Sequence, residues 1–351
     1  MKTLKIIIIL FLTIIIMPTA RALDYSSSSI VIDKNSGRIL YQNNSHEKRL
    51  IASTTKILTA IIVIEKGNLD REVTVGQEVL KMYGTNIYIE VGEKLKVIDL
   101  LYGLLLRSGN DAAVTLAVAT SKTEENFVAE MNQKAQEIGM KDSIFANPHG
   151  LDEETKNYST AYDMALLMQY ASKNPIFSEI SATKKYTVST GSKTYLWYNR
   201  NKLLTRYKYC TGGKNGYTPS AGKTLVSTAF KDNLDLITVS LNDSDTYTTH
   251  EKIDDYVFSK YKNYKIIDKD TFSIDKTFTT DKLYLKEDFC YPLTEEETEK
   301  IKTIVNIDNK SKKGNINIYL DNKKIGSLTI YKEQEKKEES FFSKLRSLFR
   351  R

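Results

Sequence analysis

Cysteine and histidine are both scarce in this chain of 351 residues, which contains two cysteines and three histidines. Two cysteines cannot build a disulfide-stapled scaffold, and the sequence leaves open whether Cys210 and Cys290 pair. The histidines, at positions 46, 149 and 250, lack metal-ligand spacing, which argues against a zinc site. We therefore expect neither a metal nor a cofactor.

A strong excess of charge of one sign is also missing. The formal net charge is +7 at pH 7, which is mildly basic for a chain of this length. Such a charge suits an anionic surface or a cell wall and does not establish nucleic-acid binding, so no nucleic-acid partner is expected.

The N-terminus carries the longest apolar run, which extends from Ile6 to Met17 and is interrupted by Thr13 alone. Lysines precede this run, and Ala20-Arg21-Ala22 follows it with small residues where a signal peptidase reads the chain. The pattern predicts a secretory signal peptide over residues 1–22. An uncleaved anchor is the alternative, but a spanning helix needs about 20 apolar residues. Cleavage would remove three positive charges and lower the net charge from +7 to +4.

The order of strand-like and helix-like segments predicts an α+β fold. Residues 27–44 alternate as two strands, and residues 185–241 return to strands after a helical middle part. Helices are predicted at residues 52–67, 97–110, 123–139 and 248–260. The first and last strands can join in one antiparallel sheet with helices packed against it.

Composition shifts divide the chain further. The main domain is predicted over residues 23–262, and a small all-β domain over residues 263–333. Residues 334–351 form a polar linker and an amphipathic segment, with Phe341, Leu345 and Leu348 at helical spacing opposite a basic face. This segment predicts a helix that associates with a membrane surface; a frayed tail or a helix docked on the protein is the alternative.

Three short motifs carry candidate chemistry. Ser53 and Lys56 lie one helical turn apart, so a buried, neutral Lys56 could take the proton from the Ser53 hydroxyl. Taken alone, a Ser-x-x-Lys pattern is weak and favours a plain helix start. Ser108 and Asn110 flank a glycine at a helix break, and could relay a proton and hold a substrate amide. Lys214-Asn215-Gly216 could bind a carboxylate, because glycine lets a ligand backbone approach.

With these motifs in this order, the chain resembles the low-molecular-weight penicillin-binding proteins that act as serine-type D-alanyl-D-alanine carboxypeptidases, the peptidase S11 group. The resemblance extends over most of the chain after residue 22 and includes "DLLYGLLLRSGNDAA", "ANPHGLD", "NRNKLL" and "GGKNGYTPSAG". It implies a β-lactamase/transpeptidase-like domain followed by a small β-domain and an amphipathic tail.

The resemblance also implies residue roles. Ser53 would be the acylated nucleophile, Lys56 its general base and Ser108 the proton relay. The residues implied to bind or border the substrate are Asn110, Lys214, Asn215, Tyr217 and Asn201. Of these, Lys214 would hold the terminal carboxylate, the backbone N–H groups of Ser53 and Tyr217 would form the oxyanion hole, and Asn201 would support the wall.

Implied by the same resemblance, the substrate is a peptidoglycan stem peptide that ends in D-Ala-D-Ala, β-lactams act as inhibitors, and the protein works at the outer face of a bacterial cytoplasmic membrane or cell wall. One position departs from the family: Asn215 stands where threonine is usual. A weakly active or inactive penicillin-sensing protein therefore stays open, as does a β-lactamase, although no acidic motif for rapid deacylation is apparent between Ser108 and Lys214.

Overall fold

A computed structural model of the chain describes residues 24–191, 193–274, 282–308 and 313–332. The predicted signal peptide and the predicted C-terminal amphipathic helix lie outside these residues. The strands, in chain order, are β1 (Ser26–Asp33), β2 (Ile39–Asn43), β3 (Arg49–Leu50), β4 (Glu72–Thr74), β5 (Lys94–Lys96), β6 (Tyr158–Ser159), β7 (Lys185–Ser189), β8 (Thr194–Tyr198), β9 (Cys210–Thr218), β10 (Gly222–Lys231), β11 (Leu234–Asp243), β12 (Lys262–Ile267), β13 (Leu283–Tyr284), β14 (Phe289–Leu293), β15 (Ile301–Asp308), β16 (Lys313–Leu320) and β17 (Lys323–Lys332).

The helices alternate with these strands. They are α1 (Lys56–Lys66), α2 (Val97–Tyr102), α3 (Asn110–Ser121), α4 (Glu124–Ile138), α5 (Ala161–Ala171), α6 (Pro175–Ala182), α7 (Leu203–Arg206), α8 (Thr246–Lys260) and α9 (Glu295–Thr298). The predicted α+β class is therefore confirmed. None of the helices within the described ranges is both long and apolar enough to cross a membrane.

The central sheet joins the two ends of the main domain. Its strand order is β2-β1-β11-β10-β9, and its neighbouring strands are antiparallel. The prediction that the first and last strands share one sheet is confirmed for these five strands. β9 is an edge strand, so the backbone N–H and C=O groups on its outer side are not paired with another strand of this sheet.

Helix α1 fills the middle of the domain because its sequence is apolar nearly all round. Its residues from Lys56 to Ile64 are buried, and they pack in one core with α2, α3 and α5. A 3₁₀ turn at Ala52–Thr55 precedes α1, and Gly67 ends it. The helix predicted over residues 97–110 is interrupted, because a π-helical turn, Gly103–Arg107, separates α2 from α3.

Strands β7 and β8 correct one expectation, because they form a separate two-stranded sheet rather than extending the central one. Their outward residues alternate with inward ones that pack against α2, and the rings of Tyr102 and Tyr186 stack at 3.7 Å. Aromatic packing against a helix thus takes the place of pairing with the central strands.

The C-terminal strands form their own sheet of order β13-β17-β16-β15, with β12 and β14 paired beside it. The predicted hairpin within residues 316–331 is confirmed as β16 and β17, whose turn places Asp321 at φ 53°. Arg38 joins the two parts, since its guanidinium bonds Glu297 and the carbonyl of Pro292, each at 2.5 Å. Cys210 and Cys290 lie on separate sheets as free thiols.

Candidate active site

Ser53 and Lys56 meet at the start of α1. Ser53 sits in the 3₁₀ turn, and the ammonium or amine Nζ of Lys56 lies 3.0 Å from its Oγ. The same Nζ contacts Oδ1 of Asn110 at 2.8 Å and the backbone carbonyl of His149 at 2.5 Å. Lys56 is 0% exposed, so these three oxygens replace water around its nitrogen.

The environment of Lys56 favours its neutral form. Burial lowers the pKa of Lys56 well below its usual range, and the positive charges of Lys214 and Arg200 lower it further. The carboxylate of Asp111 acts in the opposite direction. A neutral lysine in hydrogen-bond reach of a serine hydroxyl can accept its proton, which is how a serine becomes a nucleophile.

The loop Ala146–Asp152 packs against the 3₁₀ turn that carries Ser53. Gly150 has φ 87°, and a Cβ at this position would lie 2.0 Å from the carbonyl oxygen of Ala52. Only glycine therefore allows the loop to approach so closely. Asn157 binds the two segments together, since its Nδ2 donates to Oγ1 of Thr55 and to the carbonyl of Asn147, both at 2.9 Å.

Ser108 and Asn110 reach the site through the break between α2 and α3. Ser108 has a left-handed backbone with φ 66°, and its buried Oγ has no hydrogen-bond partner among the described residues. Asn110 bridges Lys56 and the carbonyl of Tyr83, to which its Nδ2 donates at 2.7 Å. A buried hydroxyl without a partner is uncommon in folded proteins, so Ser108 calls for an explanation.

Lys214 enters from the edge strand β9. It is fully buried, and its Nζ donates to the backbone carbonyl of Asn215 at 2.6 Å. Burial lowers its pKa to about 7, and the charge of Arg200 contributes. Gly216 brings β9 close to Ser53, because a Cβ at Gly216 would lie 2.8 Å from the backbone nitrogen of Ser53.

The remaining predicted residues lie on strand β9 or pack behind it. Asn215 is half-buried, and its Oδ1 finds no hydrogen-bond partner among the described residues. Tyr217 is 64% exposed on the same strand. Asn201 is buried behind β9, where its Nδ2 donates to the carbonyl of Gly212 at 3.5 Å. The structure thus places Lys56 in contact with both Ser53 and Asn110. The charge of Lys214 acts on Lys56, whereas Asn201 contacts the backbone of β9 and not these residues.

Three groups at the site were not predicted. Arg200 lies within "NRNKLL", yet its charge acts on both lysines, which only the fold reveals. His149 lies within "ANPHGLD" and contributes its backbone carbonyl, a group that no pattern of side chains in the sequence can reveal. Asp111 follows Asn110 directly in the sequence, and this adjacency to the Ser108-Gly109-Asn110 motif could have indicated that Asp111 lies near the site.

The described residues include no group of three or more His, Cys, Asp or Glu side chains that could hold a metal ion. His149 is neutral, since burial and then the charge of Lys56 lower its pKa to about 3.

Comparison with known proteins gives one consistent family. The sequence model of the D-alanyl-D-alanine carboxypeptidases, Peptidase_S11, matches residues 18–245. The chain is 34% identical over 250 residues to D-alanyl-D-alanine carboxypeptidase DacF of Bacillus subtilis (strain 168), covering 69% of this chain and 64% of that protein. It therefore spans less than two thirds of that relative's length.

Solved structures agree with the sequence relatives. D-alanyl-D-alanine carboxypeptidase DacD from Francisella tularensis superposes with a TM-score of 0.69 at 25% identity, covering 88% of this chain and 93% of that one. The Streptomyces K15 DD-transpeptidase gives a TM-score of 0.64 at 29% identity, covering 67% and 98%. Since the family model extends over more than half of the sequence, the chain belongs to the D-alanyl-D-alanine carboxypeptidase family, peptidase S11.

Proposed function

We propose that this protein is a serine-type D-Ala-D-Ala carboxypeptidase that removes the terminal D-alanine from peptidoglycan stem peptides. The observation that carries the proposal is the buried Nζ of Lys56, 3.0 Å from Oγ of Ser53 and held by two further oxygens. Membership of the family supports the same substrate. Neither argument requires a cofactor.

In the acylation step, Lys56 takes the hydroxyl proton of Ser53 as Oγ attacks the carbonyl carbon of the penultimate D-alanine. The backbone N–H groups of Ser53 and Tyr217 stabilise the oxyanion. The C–N bond then breaks, the amine nitrogen receives a proton through Ser108, and terminal D-alanine leaves. Water attacks the Ser53 ester next, which releases the shortened peptide and restores the hydroxyl.

Lys214 holds the carboxylate of the departing residue. Its pKa of about 7 describes the buried site before a ligand arrives. A bound carboxylate favours the charged form of a neighbouring lysine, so substrate binding raises that pKa. Asn215 adds an amide that can donate to the same carboxylate. A β-lactam carries a carboxylate and a reactive amide, and therefore acylates Ser53 as well.

The site would act outside the cytoplasm. Export through the signal peptide at residues 1–22 and attachment by the amphipathic segment at residues 334–351 would place the domain of residues 23–262 at the outer face of the membrane. The β-domain of residues 263–333 would stand between the two. These assignments rest on the sequence patterns.

The alternative is a penicillin-sensing protein without turnover, for which the support is Asn215, since it stands where the family usually has threonine. A fluorescent penicillin and a stem-peptide mimic ending in D-Ala-D-Ala distinguish the two, with Ser53→Ala as the control. We expect labelling of Ser53 and release of D-alanine. Absence of label would overturn the assignment of Ser53, and labelling without D-alanine release would favour the sensor. Rapid hydrolysis of penicillin without D-alanine release would instead identify a β-lactamase.

A further inference from the structure

Asp111 is a buried carboxylate to which the proposed chemistry assigns no role. It is 2% exposed, and the hydrogen bonds that it accepts come from backbone N–H groups. Its oxygens accept hydrogen bonds from the backbone N–H groups of Ile87, Tyr88 and Ile89, the shortest being 2.7 Å to Tyr88. The N–H of Ala112 adds a fourth at 2.9 Å. Burial raises the pKa of Asp111 above its usual range, and these N–H donors act in the opposite direction by stabilising the ionised carboxylate.

The segment that receives this carboxylate is shaped for it. Three successive N–H groups point to one anion, which is the arrangement of an anion-binding nest. Tyr88 adopts φ 63° to complete it, a left-handed conformation that is costly for a bulky residue. The surrounding structure therefore stabilises a strained loop around Asp111.

The same loop orients Asn110. The carbonyl of Tyr83 accepts from Nδ2 of Asn110 at 2.7 Å, and the carbonyl of Thr85 accepts from its backbone N–H at 2.8 Å. With Nδ2 occupied, Oδ1 of Asn110 must face Lys56, which it contacts at 2.8 Å. By holding this loop, Asp111 thus fixes the orientation of the Asn110 amide, so that its oxygen Oδ1 and not its nitrogen Nδ2 faces Lys56.

We propose that Asp111 is a positioning residue that holds the Asn110 amide against Lys56 and sets the lower pH limit of acylation. The inference rests on the proposed function, in which Lys56 is the general base. Lys214 from β9 and Arg200 from the turn before α7 are the cations that act on Lys56, and Asp111 at the start of α3 is the anion. The adjacent His149 is neutral.

The test is the rate of Ser53 acylation by a fluorescent penicillin across pH 5 to 9. In Asp111→Asn, loss of the anion disfavours protonated Lys56, so the acid limb should move to lower pH by about one unit. The rate on the plateau should fall about tenfold, because the asparagine amide cannot accept all four N–H groups. Asp111→Glu keeps the negative charge on a longer side chain. Its acylation rate on the plateau should therefore fall, while the acid limb of its pH profile should stay in place.

Asp163 provides a matched control. It is also buried, and it accepts hydrogen bonds from the N–H of Asp142 and the hydroxyl of Ser143. Asp163 is not among the charges that act on Lys56. Asp163→Asn should lower the melting temperature and leave the pH profile unchanged. An equal shift of the acid limb in Asp163→Asn would overturn the proposal. If Asp111→Asn fails to fold, a shift of the acid limb in Asp111→Glu would overturn it too. Wild-type protein that takes no label would overturn both proposals, whereas superimposed profiles of wild type and Asp111→Asn would overturn this one alone.

Discussion

Asn215→Thr is the most informative single substitution, because it changes the one site position that departs from the family's pattern. Asn215 lies on the edge strand β9, next to Lys214, with a buried Oδ1 that accepts no hydrogen bond from the described residues. A buried, unpaired acceptor costs about 1–3 kcal/mol. Threonine removes it, suits a strand better than asparagine does, and keeps a hydroxyl that can donate.

The expected magnitudes follow from that environment. Because Asn215 is half-buried, we take the lower end of the range and expect a stabilisation of about 1 kcal/mol, or a melting temperature about 2 °C higher. A better placed hydrogen bond to the substrate carboxylate contributes about 1.5–3 kcal/mol. Since the asparagine amide already supplies part of that, kcat/KM for D-alanine release should rise about tenfold.

Two measurements decide the outcome: thermal unfolding without ligand, and D-alanine release from a stem-peptide mimic. Asn215→Ala is the matched control, because it removes the unpaired oxygen and supplies no donor; it should gain stability but lose kcat/KM. A threonine variant that is as stable as the wild type yet slower would refute the reasoning. It would mean that the asparagine amide is itself the group around which this site is built.

Three further predictions use other parts of the molecule. Lys56→Ala should slow acylation by about 10²–10⁴-fold in stopped-flow labelling, and release of D-alanine at the wild-type rate would contradict its role as base. Burial lowers the pKa of His250 to about 3, so neutral His250 contributes stability that is present above pH 6.5 and lost as pH falls toward 3. His250→Gln should therefore show a smaller loss of unfolding free energy between pH 7 and pH 5 in urea titrations, and an undiminished loss would count against this. Deletion of residues 336–351 should move the protein from the membrane to the soluble fraction with turnover unchanged; a truncated protein that still pellets with membranes has its anchor elsewhere.

The sequence predicted those parts of the site that depend on local spacing. Ser53 and Lys56 are three residues apart, so the turn before α1 brings them within reach of each other without help from the rest of the fold. Ser108 and Asn110 could be located for a similar reason, because a glycine between them marks the end of one helix and the start of another.

Contacts that depend on distant segments could not be predicted in this way. The carbonyl of His149 reaches Lys56 across 93 positions of sequence, and backbone groups carry no residue signature. Arg200 acts on Lys56 and Lys214 through space, so its importance depends on how β9 and the preceding turn pack. The separate pairing of β7 and β8 has the same origin, since Tyr186 packs against α2 and no local pattern specifies that partner.

Gly150 has a consequence for how this enzyme family can change over evolutionary time. Any side chain there would press on the carbonyl of Ala52, so the loop would move and take the carbonyl of His149 with it. In a deep mutational scan, Gly150 would lose activity with every substitution and would resemble a catalytic residue, although it takes part in no chemistry. A change in the conformation of the turn at Ala52–Thr55 would consequently require a matching change in the loop that carries Gly150.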